Sequence, residues 1–160
     1  MYPMGKKINT SKAMMGTPRP HYLVGDAEIN KEENRFHFLG RVNFTSKEHP
    51  SILDRTDKYV SKPHVNAGDC CFALWNAVHV IAEDFGYGSR ILRDKILIEP
   101  KRLIPPDTEL SLEVLVEEEK ELTLKGINFS VGTIYGKFSF EGKSLLDITA
   151  NYCAEINHKS

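Results

Sequence analysis

Three polar side chains interrupt an otherwise apolar segment at a constant spacing of seven residues: Asp69, Asn76 and Glu83. On a helix with 3.6 residues per turn this spacing brings them close to one line, with His79 one turn past Asn76. Burying an amide or a carboxylate without a hydrogen bond costs about 1–3 kcal/mol or more. Each of these groups therefore needs a partner, a water molecule or a substrate. The sequence predicts a polar stripe on a buried helix.

Asn76 has two interpretations. Its amide either ties the helix to a neighbouring strand through backbone hydrogen bonds, or its N–H₂ group donates to a substrate carbonyl or orients an attacking water. Asn66 and Asp69 are also ambiguous, because an Asn three residues before an Asp at the start of an apolar run is the pattern of a helix cap. Such a cap is worth about 0.5–2 kcal/mol and requires no catalytic explanation.

Other reactive side chains lie around the same segment. His64 follows Pro63, and it fits either a general acid or base that titrates near neutral pH or a structural residue at the helix entry. Cys70 and Cys71 are candidate nucleophiles at the start of the helix, although free buried cysteines are more often small apolar residues. The sequence has no glycine-rich phosphate loop, GxSxG elbow or HExxH motif, which argues against nucleotide hydrolysis, α/β-hydrolase chemistry and zinc proteolysis.

Composition limits the class of protein. A length of 160 residues predicts one domain, and a net charge of -1 without a Lys- and Arg-rich block argues against a nucleic-acid partner. Two adjacent cysteines and a distant third give no disulfide framework or metal-ligand spacing, so we expect a reducing compartment and a cytoplasmic location. Residues 1–20 are basic but lack the apolar region of a secretory signal. We interpret them as a flexible or partner-bound arm, with an organellar presequence as the alternative, before a single domain over 21–160.

The candidate residues must be positioned by the elements around them. The run Ala67–Phe85 has no broad hydrophilic face, which is typical of a buried helix, and its charges argue against a membrane span. Runs over 23–30 and 35–44, joined by the polar KEEN turn, predict a hairpin. The segment 120–127 either continues a strand or forms a bulged corner. Four later runs predict antiparallel strands: 91–100, 108–120, 128–140 and 144–156. The last two are joined by a tight turn at Glu141–Lys143.

A hairpin, a long buried helix and then several antiparallel strands predict an α+β domain. A helix this apolar is covered on all sides only by a strongly curved sheet, helped by a second subunit. This order of elements resembles the hotdog fold, in which a curved antiparallel sheet wraps around one long central helix and two protomers pair their sheets. The segment HVNAGDCCFALWNAVHV is similar to the helix motif of FcoT-type fatty acyl-CoA thioesterases, with His64, Val65 and Asn76 at matching positions. Such helices commonly carry a glutamine where this chain has Ala77.

The resemblance implies a homodimer that hydrolyses an acyl thioester, either a fatty acyl-CoA or an acyl-carrier-protein, with no tightly bound metal and no cofactor. It implies that backbone N–H groups at Ala67, Gly68 and Asp69 bind the oxyanion. Asp69 is then a candidate base, and Asn76 positions water with Asn66 or Asp69.

The resemblance extends to residues outside the helix start. Tyr59 matches the family's upstream tyrosine, with Tyr22 as a weaker second. The acyl chain would lie along the helix near Phe72 and Trp75. Four basic residues have two interpretations: Arg90, Lys101, Arg102 and Arg93. They either hold the phosphates of coenzyme A or phosphopantetheine, or they are only scattered surface charges.

Two rival functions remain open from the sequence. One is a dehydratase, hydratase or conjugate-addition enzyme acting on a 3-substituted or 2,3-unsaturated acyl thioester, with His64 or Asp69 moving a proton. The other is a non-catalytic subunit that binds an acyl thioester. Release of a free thiol distinguishes hydrolysis from dehydration, hydration or addition. Binding of an acyl thioester without turnover distinguishes the non-catalytic subunit from both kinds of enzyme.

Overall fold

The computed structural model describes residues 5–15, 21–47 and 64–156, and within 88–94 it describes only the backbone. The strands of this part of the chain form one antiparallel sheet in the order β1-β2-β3-β5-β6-β7-β4, which confirms the predicted α+β class. In chain order the elements are β1 (Lys6–Asn9), α1 (Thr10–Ala13), β2 (Leu23–Glu32), β3 (Arg35–Asn43), α2 (Ala67–Phe85), β4 (Tyr87–Pro100), β5 (Glu109–Leu124), β6 (Ile127–Phe140) and β7 (Lys143–Ile156).

Helix α2 has the bounds that the sequence predicts, because both of its ends carry local signals. The Asn66 side chain accepts a hydrogen bond from the Asp69 N–H at 3.0 Å, which caps the first turn. At the other end Gly86 has a left-handed backbone with φ of 76°, and its N–H donates to the carbonyl of Ala82. The predicted hairpin is also confirmed as β2 and β3.

The core lies between α2 and one face of the sheet. Alternate residues of β5 face the helix and are buried, among them Leu112 and Val114, while their neighbours are exposed. On β6, a Cβ built at Gly136 would lie only 2.7 Å from Cδ1 of Leu74, so the helix approaches this strand closely. Packing on the sheet therefore sets the distance of α2 from the strands and determines which helix face is turned towards them.

One side of α2 is not covered by the sheet. Phe72 is 50% exposed, Gly68 and Glu83 are exposed, and Trp75 and His79 are half-buried. These five residues share one face of the helix, because they are spaced by three or four positions. Within one chain this face stays open, so complete burial of the helix, which was predicted with a second subunit, remains a prediction. The face is open for a geometric reason, since a helix lying on a sheet contacts it with only part of its circumference.

Part of the segment predicted as an arm belongs to the sheet. Lys6–Asn9 pairs with β2 as an edge strand, and Thr10, completely buried, donates from Oγ1 to the carbonyl of Gly25 at 2.7 Å. Met14 is buried in the core, and Lys6 forms an ion pair of 2.8 Å with Asp84 of α2. The sequence did not indicate this strand because four residues are too few to show an alternating pattern.

The segment 120–127, for which the sequence left a continuing strand and a bulged corner open, has features of both. Strand β5 continues to Leu124 after a register shift between Glu118 and Lys120, and a turn with positive φ at Lys125 and Gly126 leads into β6. Opposite the shift, a Cβ at Gly132 would lie 1.9 Å from the backbone oxygen of Glu117. Only glycine fits this position without a backbone shift.

Candidate functional site

Tyr22, the residue before β2, connects two polar residues of α2. Its hydroxyl donates to Oδ1 of Asp69 at 2.6 Å, and its backbone N–H donates to Oδ1 of Asn76 at 2.9 Å. A spacing of seven residues corresponds to about 10.5 Å along a helix, so one tyrosine reaches both groups only by using its two ends. The start of β2 is thereby attached to the first half of α2.

The Asp69 carboxylate lies on the first turn of α2 and is partly exposed. Its Oδ1 accepts from Tyr22, while Oδ2 has no hydrogen-bond partner among the described residues. The first N–H groups of a helix have no intrahelical acceptor, and they form the positive end of its dipole. Asn66 caps the N–H of Asp69 but not those of Ala67 and Gly68, and Gly68 is exposed. The first turn thus carries both a carboxylate with one open oxygen and two N–H groups without an intrahelical acceptor.

Tyr22 is held as a neutral donor. Burial and the neighbouring Asp69 carboxylate raise the pKa of Tyr22 well above its ordinary value, so its hydroxyl keeps its proton at neutral pH. Its ring packs against Phe44, with centroids 4.8 Å apart and planes tilted by 48°. The sequence ranked Tyr22 only as a second tyrosine, because nothing local in the sequence connects residue 22 to residue 69.

Asn76 is 6% exposed, and its Oδ1 accepts from the backbone of Tyr22. This contact is the one expected if Asn76 ties the helix to the start of a strand. Glu83, two turns further on, is exposed and lies apart from Asp69 and Asn76. The stripe predicted from the spacing therefore consists of two buried or half-buried members and one that faces solvent.

Cys70 is completely buried next to Asp69. Burial, together with the neighbouring Cys71 and Asp69, raises the pKa of the Cys70 thiol to about 12. A thiol with this pKa stays protonated at neutral pH and is a poor nucleophile. The geometry thus favours the interpretation of Cys70 as a small apolar residue.

The loop before α2 is attached to the segment after β4. The Val65 N–H donates to the carbonyl of Ile104 at 2.9 Å, and His64, half-buried, directly precedes this contact. The predicted Tyr59 lies outside the described residues. Phe72 and Trp75 lie on the exposed face of α2.

The predicted basic residues differ in their surroundings. Lys101 forms an ion pair of 2.9 Å with Asp147, whereas Arg102 is exposed. Arg90 and Arg93 lie in β4, in the stretch where only the backbone is described. A shared phosphate site for these four residues therefore remains a prediction.

A second polar cluster, which the sequence did not indicate, lies near the C-terminal half of α2. Ser130, completely buried, donates to Oε2 of Glu118 at 2.5 Å and contacts the Tyr152 hydroxyl at 2.9 Å. Tyr87 also donates to this carboxylate, at 3.5 Å. Burial raises the pKa of Tyr152 to about 12. The adjoining cavity has a volume of about 30 Å³, which suffices for one or two water molecules but not for a substrate.

Within the described ranges, no helix has the length and hydropathy needed to cross a membrane. The same part of the chain contains no group of three or more His, Cys, Asp or Glu side chains placed to bind a metal ion.

No family model matches the sequence, and no curated protein matches it either. Solved structures do resemble the fold. A candidate thioesterase, yhdA of Lactococcus lactis, has a TM-score of 0.50 at 13% identity, covering 83% of this chain and 91% of its own. The PaaI protein of E. coli, from the phenylacetic acid degradation operon, has a TM-score of 0.50 at 11% identity, covering 79% and 81%. A probable thioesterase from Bartonella henselae has a TM-score of 0.50 at 10% identity, covering 76% and 91%. At these identities the likeness shows the fold alone: a hotdog-like antiparallel sheet with one long helix packed against it.

Proposed function

We propose that this chain hydrolyses an acyl thioester at the start of α2. The observation that carries the proposal is the Asp69 carboxylate, which has one oxygen fixed by the Tyr22 hydroxyl, the other without a protein partner among the described residues, and helix N–H donors beside it. Hydrolysis of a thioester needs a base for water and donors for an oxyanion, and this turn supplies both.

The reaction then runs in two steps. Asp69 Oδ2 accepts a proton from a water molecule while the water oxygen attacks the carbonyl carbon of the thioester. The carbonyl oxygen becomes an oxyanion, which the N–H groups of Ala67 and Gly68 bind. The C–S bond then breaks as the intermediate collapses, and the thiolate takes the proton from the Asp69 carboxylic acid. The products are a carboxylic acid and a free thiol.

The other predicted catalytic residues take supporting roles. Asn66 shapes the oxyanion site by capping the N–H of Asp69. Asn76 keeps Tyr22 in place through its backbone, so it acts on Asp69 indirectly. His64 and Tyr59 remain candidates for proton transfer and for substrate contact, in keeping with the resemblance to FcoT-type thioesterases.

We further propose that the active form is a homodimer. The exposed face of α2 carries the half-exposed Phe72 beside Trp75, and a second protomer would bury this apolar surface. The acyl chain is proposed to lie along the same face. Light scattering of Phe72→Glu against wild type tests this step, because the substitution changes an exposed residue and should give a folded monomer. A wild-type protein that is already monomeric at micromolar concentration would refute the dimer.

The test of hydrolysis is a panel of acyl-CoA thioesters of increasing chain length, assayed by release of free thiol. Asp69→Asn keeps an acceptor for Tyr22 but removes the base, and we expect thiol release to fall about 10²–10⁴-fold, the usual contribution of general-base catalysis. Asp26→Asn is the matched control, since it makes the same change at an exposed carboxylate of β2, away from this helix face. It should leave the rate unchanged.

Each rival function predicts a different result from the same panel. A change in enoyl absorbance without thiol release would indicate a hydratase or dehydratase. Tight binding of acyl-CoA with no turnover would indicate a binding subunit. Equal rates for wild type and Asp69→Asn would refute the proposed mechanism, provided that both variants are folded.

A further inference from the structure

Four residues on the open face of α2 lie almost on one line along the helix. They are Gly68, Phe72, Trp75 and His79, and each is exposed or half-buried. With 3.6 residues per turn, these positions fall within a sector of about 60° of the helix circumference. From Gly68 to His79 the chain completes three turns with only about 20° left over, and it advances by about 16.5 Å. Gly68 and His79 therefore point in nearly the same direction.

The order of these residues is symmetric about the middle of the line. Phe72 and Trp75 occupy the centre, and Gly68 and His79 each lie four positions outside them. In a dimer with two-fold symmetry, a surface patch meets a copy of itself. A two-fold axis midway between Phe72 and Trp75 pairs each aromatic residue with the other one of the partner subunit. The same axis places Gly68 opposite His79 of the partner subunit.

The surroundings of Gly68 leave room for a side chain from a second protomer. Apart from its chain neighbours and the backbone of its own turn, a Cβ built at Gly68 would have only Oδ1 of Asn66 within 4 Å, at 3.2 Å. Packed helices have axes about 8–10 Å apart, and Cα atoms lie about 2.3 Å from the axis. Facing Cα atoms are then up to about 5.5 Å apart, provided that the helices cross at a shallow angle of about 20°. An imidazole spans such a gap.

The charges on α2 favour the antiparallel arrangement that this axis produces. Glu83 is exposed and lies one turn beyond His79. In antiparallel helices, Glu83 faces the start of the partner's helix, where the first N–H groups carry a partial positive charge. A parallel pair would instead bring Glu83 close to the partner's Glu83, and like charges repel each other.

His79 has a polar group that needs a partner in such an interface. Its side chain is half-buried, and its imidazole forms no hydrogen bond with the described residues. A buried polar group without a hydrogen bond costs about 1–3 kcal/mol, so a dimer that covers Phe72 and Trp75 must provide an acceptor for His79. The first turn of the partner's helix, where the proposed hydrolysis forms an oxyanion in place of bound water, provides one.

We propose that His79 of the partner subunit is a catalytic residue at the first turn of α2. Its imidazole N–H donates to the oxyanion, beside the N–H groups of Ala67 and Gly68. The inference rests on the proposed hydrolysis and on the proposed homodimer, and it makes them interdependent, because neither protomer contains a complete site. The proton transfers are unchanged. Asp69 takes the proton from water and returns it to the thiolate, while His79 keeps its own proton throughout.

Mixed dimers test whether Asp69 and His79 act across the interface. His79→Ala should lower kcat for thiol release about 10²–10³-fold, the usual effect of losing one oxyanion donor. Two differently tagged chains, one with Asp69→Asn and one with His79→Ala, are expressed together and purified through both tags. One site of this mixed dimer lacks both residues, and the other keeps both, so activity should recover to about half that of wild type. No recovery would overturn the inference.

The reverse combination is the matched control. A wild-type chain paired with the double variant D69N/H79A has no complete site if the two residues act across the interface, and this dimer should be as slow as the single variants. If His79 acts within its own chain, the wild-type chain keeps a complete site, and about half of the activity remains. That result would also overturn the inference.

A cross-link tests the geometry without any hydrolysis. A chain that carries both Gly68→Cys and His79→Cys should form covalent dimers on mild oxidation, seen on a non-reducing gel, because the facing Cα atoms lie within the span of a disulfide. Each single variant should stay uncross-linked, since its two copies of the changed residue lie about 16.5 Å apart along the axis. Wild type, with its own three cysteines, is the background control.

The two readouts separate this inference from the proposed hydrolysis. Cross-linking of the double cysteine variant supports the pairing of Gly68 with the partner's His79 even if wild type releases no thiol, and in that case only the hydrolysis is refuted. Thiol release by wild type without cross-linking, and without recovery in the mixed dimers, would overturn the inference and leave the hydrolysis intact.

Discussion

Replacing Tyr22 with phenylalanine tests the central contact of the site with a change of one oxygen atom. The variant loses the hydrogen bond of 2.6 Å to Asp69, but it keeps the ring contact with Phe44 and the backbone bond to Asn76. A hydrogen bond to a charged group contributes about 1.5–3 kcal/mol to stability. Asp69 is partly exposed, so water replaces the lost donor in part, and we expect a loss of about 1.5 kcal/mol. For a domain of this size that corresponds to a fall in Tm of about 3–6 °C.

The effect on activity should be larger than the effect on folding. Without the Tyr22 hydroxyl the Asp69 carboxylate rotates freely, so we expect kcat for thiol release to fall at least about tenfold while KM changes little. Tyr135→Phe is the matched control, because Tyr135 is 41% exposed on the opposite face of the sheet. The assay is steady-state thiol release together with thermal unfolding. A Tyr22→Phe variant with wild-type kcat would refute the role of this contact, whatever its stability.

Three other predictions follow from single residues. Gly132→Ala should destabilise the fold by about 3 kcal/mol in urea unfolding, because the new Cβ would lie 1.9 Å from the Glu117 oxygen. If stability is unchanged, the register of β5 and β6 is wrong. Cys70 should resist iodoacetamide at pH 8 in the native protein, judged by mass spectrometry, because its pKa is raised to about 12; rapid labelling would contradict its burial. Stability should fall as the pH rises from about 10 through 12, because the unfolded chain releases the Tyr152 proton near pH 10 and the native state holds it to about 12. Urea unfolding should show a smaller fall for Tyr152→Phe, and an equal fall would contradict this assignment.

The sequence predicted those parts of the fold whose signals are local. The limits of α2 follow from Asn66, the apolar run and Gly86, which are neighbours in the chain. Contacts between segments that are distant in the chain could not be predicted from the sequence. The bond from Tyr22 to Asp69 spans 47 positions, and no periodic pattern records it. Strand β1 was missed for a related reason, since its four residues are defined by pairing with β2 rather than by their own composition.

The polar stripe shows how a correct spacing can still mislead. Residues seven apart do not return to the same point on a straight α-helix, because the line drifts by about 20° per heptad. From Asn76 to Glu83 this drift turns the line by about 20° towards the exposed face that contains Phe72. Asn76 therefore still reaches the backbone of Tyr22, whereas Glu83 faces solvent.

The position of Asp69 on the first turn of α2 is the reason that we propose it as the base. The Asp69 side chain is partly exposed, so one carboxylate oxygen meets Tyr22 while the other has no partner among the described residues. A carboxylate turned further inward would be excluded from water, and one turned further outward would lack a fixed orientation. The first turn also supplies the unpaired N–H groups that later turns use within the helix. Asp69 is thus the member of the stripe that combines an oriented carboxylate with helix N–H groups that have no intrahelical acceptor, the two features that the proposed hydrolysis requires.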